Sequence, residues 1–175
     1  MGWFNNTPTA NRIVNSGQVL ASAALIQGSA EVMDRANAFV QTQKTRAEGL
    51  TARAYATQGA SSELGRQLQS AINDLSAYLV DGRGISEDIN NRMPDVMYLI
   101  RQFDLPRAAR EINVPSKRIA DAVLEETAQI LNNVQVLSNR HESTVRNAVG
   151  QIDRADRQIN GGNATVAIEE VPRFS

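Results

Sequence analysis

The sequence predicts an all-α protein: an elongated helical bundle of long antiparallel helices with coiled-coil-like seams, completed by oligomerisation. Three observations predict it. From Ser116 to Asn160 there is no proline and one glycine, Gly150, and apolar or small residues recur at alternating steps of three and four, the spacing of a helix with one face against a partner. Leu64, Leu68, Ala71, Ile72, Leu75 and Leu79 form a second, heptad-like run. Aromatic residues make up only 5% of the chain, and alanine and medium aliphatics take their place, which suits close helix–helix packing.

Composition excludes several classes. The 175 residues, 42% hydrophobic and 21% charged, are enough for one domain with its own core and are neither disordered nor a membrane bundle by composition. A net charge of −1 argues against nucleic-acid binding over the whole surface, which needs a basic footprint. With no cysteine, disulfides, zinc ribbons and thiol chemistry are out. No secretory signal is visible, because the first basic residue is Arg12, and Asn6 occupies the Ser/Thr position of a myristoylation motif.

Residues 1–8 read as an N-terminal arm. Trp3, the single tryptophan, sits beside Phe4, and two readings stand open: an anchor on a neighbouring surface, or a tuck against its own helix. Thr7-Pro8 supplies an N-cap and a proline at the first helical position, and a single helical domain over 9–160 follows. Its first helix spans 9–58. Within it, residues 13–33 carry one charge, Glu31, and Gly17, Ala21, Ala24 and Gly28 line one side. Such small-xxx-small spacing lets two helix backbones approach closely. The stretch nearly matches a bilayer in length, but Asn15, Ser16, Gln18, Ser22 and Gln27 favour a protein-buried helix over a constitutive span. Gly17, Ala21, Ala24, Leu25 and Gly28 therefore stand as candidates for a helix that is soluble in one state and membrane-inserted in another.

Gly59-Ala60-Ser61-Ser62 breaks the helix, with serines to cap the restart. A helix over 62–80 ends at Asp81-Gly82-Arg83-Gly84, read as a turn. Ser86 then caps a helix over 86–103, with Pro94 marking a kink or a restart. A short helix over 106–112 precedes the break at Asn113-Val114-Pro115. The last helix, 116–160, is a rod of about 65 Å, too long for 86–103 alone to cover. Gly161-Gly162 ends it, and 161–175 form an extended C-terminal arm. The expected oligomer seam comprises Leu64, Leu68, Leu75 and Leu79 with Ile130, Val134, Leu137, His141, Val145, Ile152 and Ile159.

Catalytic chemistry finds no footing. His141 is the single histidine, and no strained nucleophile turn accompanies it. One histidine without cysteine builds no His-rich metal site. At a seam position, His141 sets register or oligomeric state, or acts as a pH switch. Glu125-Glu126 and Glu169-Glu170 are adjacent pairs, which on a helix diverge by about 100° and do not converge on one substrate. Glycine-rich phosphate motifs are missing from the sequence. No catalytic residue, metal ligand or cofactor is expected.

Ala109, Ile112, Asn113, Val114, Ile119 and Ala122 fall in the order of a DNA-binding helix-turn-helix, which this stretch resembles, with Asn113 where that family usually has glycine. The second helix, however, runs on to Asn160. Arg101, Arg107, Arg110, Lys117 and Arg118 are nearly balanced by Asp104, Glu111, Asp121 and Glu125. A structural corner is the favoured reading; a DNA-binding adaptor contacting DNA through Lys117 and Arg118 is the alternative.

The start Met1-Gly2-Trp3, the small-residue helix 13–33 and the Ala/Gln/Arg-rich continuation, with Gln41-Thr42-Gln43-Lys44-Thr45-Arg46-Ala47 and Thr51-Ala52-Arg53-Ala54-Tyr55-Ala56-Thr57-Gln58, together resemble the small internal virion proteins of short-tailed bacteriophages, the ejection proteins that leave the capsid with the genome. The likeness covers the first half of the chain, is compositional, and carries over no functional residue. It implies a non-enzymatic homo-oligomer forming a ring or tube that lines a conduit. Its partners would be copies of itself, other virion or assembly proteins and the host membrane, with DNA as passing cargo. Its place would be the capsid interior or tail region and then the host envelope; otherwise the expectation is cytoplasmic. A secreted helical translocator shares this composition and remains open.

Overall fold

The computed structural model describes residues 8–103, 114–163 and 166–173. They form three long helices: α1 (Pro8–Gln58), α2 (Glu63–Phe103) and α3 (Val114–Asn160). Short 3-10 turns follow at Gly161–Asn163 and Ile168–Glu170. Among the described residues there is no strand. Residues 1–7 of the arm expected at 1–8, the short helix 106–112 and residues 109–113 of the expected corner lie outside the described residues, and Pro8 belongs to α1.

The junction between α1 and α2 follows local chemistry. Gly59 takes a left-handed φ of +81°, and its N–H donates to the Tyr55 carbonyl at 2.9 Å, closing the last turn of α1. Ser62 then caps α2, its Oγ accepting the Gly65 N–H at 3.0 Å. Gly65 must stay bare, because a Cβ there would lie 2.7 Å from the Tyr55 ring.

The turn expected at Asp81-Gly82-Arg83-Gly84 does not form: α2 runs unbroken from Glu63 to Phe103, with Pro94 inside it. Each glycine in a helix costs only about 1 kcal/mol relative to alanine, and packing outweighs that at Gly82. Its bare Cα faces Asn37 and Tyr78, and Asn37 Nδ2 donates to the Gly82 carbonyl at 3.1 Å. The α3 helix begins two residues earlier than expected and ends at Asn160, where Gly161 turns the chain with a φ of +69°.

The chain, expected as one helical domain, divides into two compact units, each drawing on all three helices: residues 1–31 with 86–134, and residues 32–85 with 135–175. In the first unit, Val19 and Ile26 of α1 are buried, as are Ile89, Val96 and Ile100 of α2 and Ala120, Val123, Leu124, Ile130 and Val134 of α3. Arg92 of α2 bridges Asp88 of its own helix at 3.0 Å and Glu126 of α3 at 2.9 Å.

In the second unit, α2 lies antiparallel to both neighbours. Asn37 and Gln41 of α1 meet Gly82 and Arg83, whereas Tyr55, later in α1, meets Gly65, earlier in α2. On α3, Arg53 reaches Asn160 and Arg46 reaches Asp153, so α1 and α3 run parallel. The core is built from Met33, Ala36, Val40, Ala47 and Leu50 of α1 against leucines of α2 and aliphatic residues of α3. Each fully buried leucine or isoleucine contributes about 1.5–3 kcal/mol.

The positions expected to form an oligomer seam pack within this arrangement. Leu64, Leu68, Leu75, Leu79, Ile130, Val134, Leu137, His141, Val145 and Ile152 are all buried within one chain, and Ile159 is half-buried. The chain's own helices already cover these faces, because α2, with no break at 81–84, is 41 residues long. The C-terminal arm is expected over 161–175. Residues 166–173 return onto their own chain, burying Ala167 and Val171 and placing Ile168 Cδ1 3.2 Å from where a Gly150 Cβ would stand.

Candidate functional site

His141 enters the second unit from α3 and meets a polar cluster on α2. Tyr78, Asp81 and Gly82 are spaced to share one side of α2. His141 Nε2 lies 2.7 Å from Asp81 Oδ2, and Arg140 Nη1 is 3.3 Å from the same oxygen. The His141 ring stands edge-on to Tyr78, with centroids 5.7 Å apart and planes at 89°. The hydrogen bond from His141, opposed by burial and reinforced by Arg140, holds the Asp81 carboxyl below the usual carboxylate range. An ionised Asp81 can only accept, so Nε2 carries the proton between them. Burial alone pushes the Tyr78 hydroxyl well above the ordinary phenol range. The cluster has an acid–base pair, but one turn before His141 the Ser138 hydroxyl donates to Glu142 at 3.3 Å. No Ser-His-Asp relay is assembled at this point.

A second cluster joins α1 to α3. The Arg46 guanidinium donates to Asp153 at 2.7 Å, to Asp156 at 3.1 and 2.5 Å, and to Gln43 at 3.1 Å. Burial works against the Arg46 charge, but the bonds to Asp153 and Asp156 outweigh it and raise the pKa of the guanidinium. Burial likewise opposes the Asp156 charge, and bonds from Arg46 and Asn160 overcome it, leaving the carboxyl lowered. Asp153 then holds the C-terminal segment: its Oδ2 accepts the N–H groups of Ala167 and Ile168 at 2.9 and 3.0 Å.

Sequence reasoning missed both the Asp81 partner of His141 and the Arg46 cluster. A signal for the latter existed. Asp153 and Asp156 are three apart and interleaved with the apolar positions Ile152 and Ala155. Carboxylates on a packing face require a cation from another helix.

The candidate membrane-active residues are placed otherwise than expected. In the first unit α1 packs through Val19, Ser22, Ile26 and Ser29. The small-residue stripe lies on another side: Gly17, Ala21, Ala24 and Leu25 are exposed, and Gly28 is half-buried. A Cβ on Gly17 or Gly28 would meet nothing within 4 Å. Thus the stripe does not mediate helix packing inside the described chain, because the larger side chains one step around fill that role. Leu20 is also exposed, at 48%. No helix among the described residues is long and apolar enough to cross a membrane.

Of the candidate DNA contacts, Arg118 is exposed on α3, while the Lys117 side chain lies outside what is described. Glu126 is spent on Arg92, and Glu169 and Glu170 lie exposed in a 3-10 turn. Among the described residues no three histidine, aspartate or glutamate side chains gather as a metal site would require. Compared with known protein families, curated proteins and solved structures, the chain matches none.

Proposed function

We propose that this chain is a non-enzymatic helical interaction protein that associates with copies of itself through the exposed side of α1. The observation that carries the reading is the run Gly17, Leu20, Ala21, Ala24 and Leu25, exposed on a helix whose other side is buried. Small residues at this spacing allow close approach of a second helix, and the leucines add apolar area to the contact. The non-enzymatic part rests on His141, whose described polar contact is spent on Asp81. The narrower form of the proposal is an internal virion component whose copies assemble into a conduit for genome ejection; the composition of the first half of the chain supports it.

The test is the molar mass of the full chain by light scattering over a range of concentrations, beside Ala21→Glu and Leu25→Glu. The expected result is a defined oligomer that both charged variants reduce to monomer. A wild-type chain that stays monomeric at every concentration, or an oligomer indifferent to both substitutions, refutes the reading.

A further inference from the structure

The α3 helix carries one glycine, Gly150, and the segment after the helix explains its place. Gly150 leaves a notch: a Cβ there would lie 3.2 Å from Ile168 Cδ1 and 3.7 Å from Arg154 Nη1. One turn on, Asp153 is 3% exposed and divides its carboxylate between two tasks. Oδ1 accepts from Arg46 at 2.7 Å, and Oδ2 accepts the successive N–H groups of Ala167 and Ile168 at 2.9 and 3.0 Å. A carboxylate holds the start of a helical turn in this way, and the guanidinium fixes its direction. Beyond this anchor, Val171 and Pro172 close on an apolar wall of Ala36, Val40, Tyr78 and Val145.

Together these features recognise a peptide. Asp153 takes two adjacent N–H groups, the notch takes an isoleucine, and the wall takes valine and proline. Charge suits the same segment. Arg146, Gly150, Asp153 and Arg157 recur at steps of four, three and four, so they share one side of α3, and Arg154 borders the notch. The segment brings Glu169 and Glu170, both exposed, to this arginine-bearing track.

Nothing in this recognition requires the segment to belong to the same chain. From Asn160 to Ala167 the backbone can reach about 20 Å, whereas the part of α3 it retraces, Asp153 to Asn160, is about 10 Å long. Gly161, with a φ of +69°, and Gly162 begin this connection. Slack behind a glycine hinge is what identical chains need to exchange an end segment.

We propose that this side of α3 and its apolar wall form a peptide-binding site whose ligand, in an assembly, is residues 166–173 of a second copy. Two copies trade segments, each Asp153 accepting the Ala167 and Ile168 amides of the other. The contact is separate from the exposed side of α1 and does not rest on it.

The sequence contains no cysteine, so introduced thiols report on the contact. Gly150→Cys and Ile168→Cys chains are mixed, unfolded and refolded together at high concentration, then treated with a short bismaleimide. The expected product is a covalent dimer from the mixture and from neither variant alone. It falls several-fold when Asp153→Ala is added to the Gly150→Cys chain and is retained when Ala21→Glu is added to both. A mixture that stays monomeric, while one chain carrying both thiols links within itself, overturns the proposal. So does a dimer indifferent to Asp153→Ala or lost with Ala21→Glu. The wild-type chain gives a second measurement. In an equimolar mixture of isotope-labelled and unlabelled protein, intermolecular nuclear Overhauser effects are expected from the Ile168 and Val171 methyls of one copy to Tyr78 and Val145 of the other. Their absence overturns the proposal equally.

Discussion

His141 of α3 and Asp81 of α2 are joined at 2.7 Å between Nε2 and Oδ2, so the one histidine of the chain spends its polarity on a neighbouring helix. The partner carboxyl is held below its usual range, chiefly by that bond. A carboxyl whose folded pKa is depressed stabilises the fold above its unfolded pKa, near 4, and loses that contribution as pH falls through the folded value. Asp81→Asn therefore destabilises the protein at neutral pH, by at most about 1 kcal/mol because solvent reaches the pair. The gap between variant and wild type closes as pH falls below about 4. Urea denaturation from neutral to acidic pH measures it, and a gap constant with pH contradicts the assignment.

Arg46 neutralises two carboxylates that water barely reaches. Asp153 and Asp156 have side-chain exposures of 4% and 11%. Removing the cation strands both charges, which costs about 3–5 kcal/mol for a buried pair. Arg46→Met keeps much of the aliphatic stem, so its loss reads the charge rather than the packing. A midpoint shift in urea under a third of that size shows that the cluster is solvated in solution.

Among the described residues, Asp153 is the one side chain seen to hold the backbone of residues 167 and 168. In Asp153→Ala, the amides of Ala167 and Ile168 lose their protection from hydrogen exchange while those of Leu68 to Leu79 keep theirs. Unchanged protection at 167 and 168 means that burial of Ala167 and Val171 alone holds the segment.

Gly82 and Gly84, two residues apart on one helix, respond in opposite directions. A Cβ at Gly82 collides with Asn37 and presses on Tyr78, whereas one at Gly84 meets nothing within 4 Å. Gly82→Ala is destabilising by about 1–3 kcal/mol, as overpacking is. Gly84→Ala is stabilising by up to about 1 kcal/mol, the helix propensity difference. Thermal melts of the two variants decide it, and shifts of the same sign contradict the packing described.

The sequence by itself determined the helical class and most helix ends. These follow from local signals: a 3–4 apolar period, Gly59 and Ser62 at one junction, Gly161 at another. Only the tertiary structure decided three other matters. Asp81-Gly82-Arg83-Gly84 has the local chemistry of a turn, yet Asn37 and Tyr78 pack against Gly82 and keep it helical. The stripe Gly17, Ala21, Ala24 and Gly28 has the spacing of a packing face, yet Val19, Ser22, Ile26 and Ser29 are what α1 buries. His141 was legible as a polar residue in an apolar seam, but its partner Asp81 lies 60 residues away in sequence. Arg46 lies 107 residues from Asp153. Periodicity describes each helix alone, whereas these pairings are set by which helix faces which and at what register. Here the chain covers its own seams, so the buried leucines say nothing about a second copy.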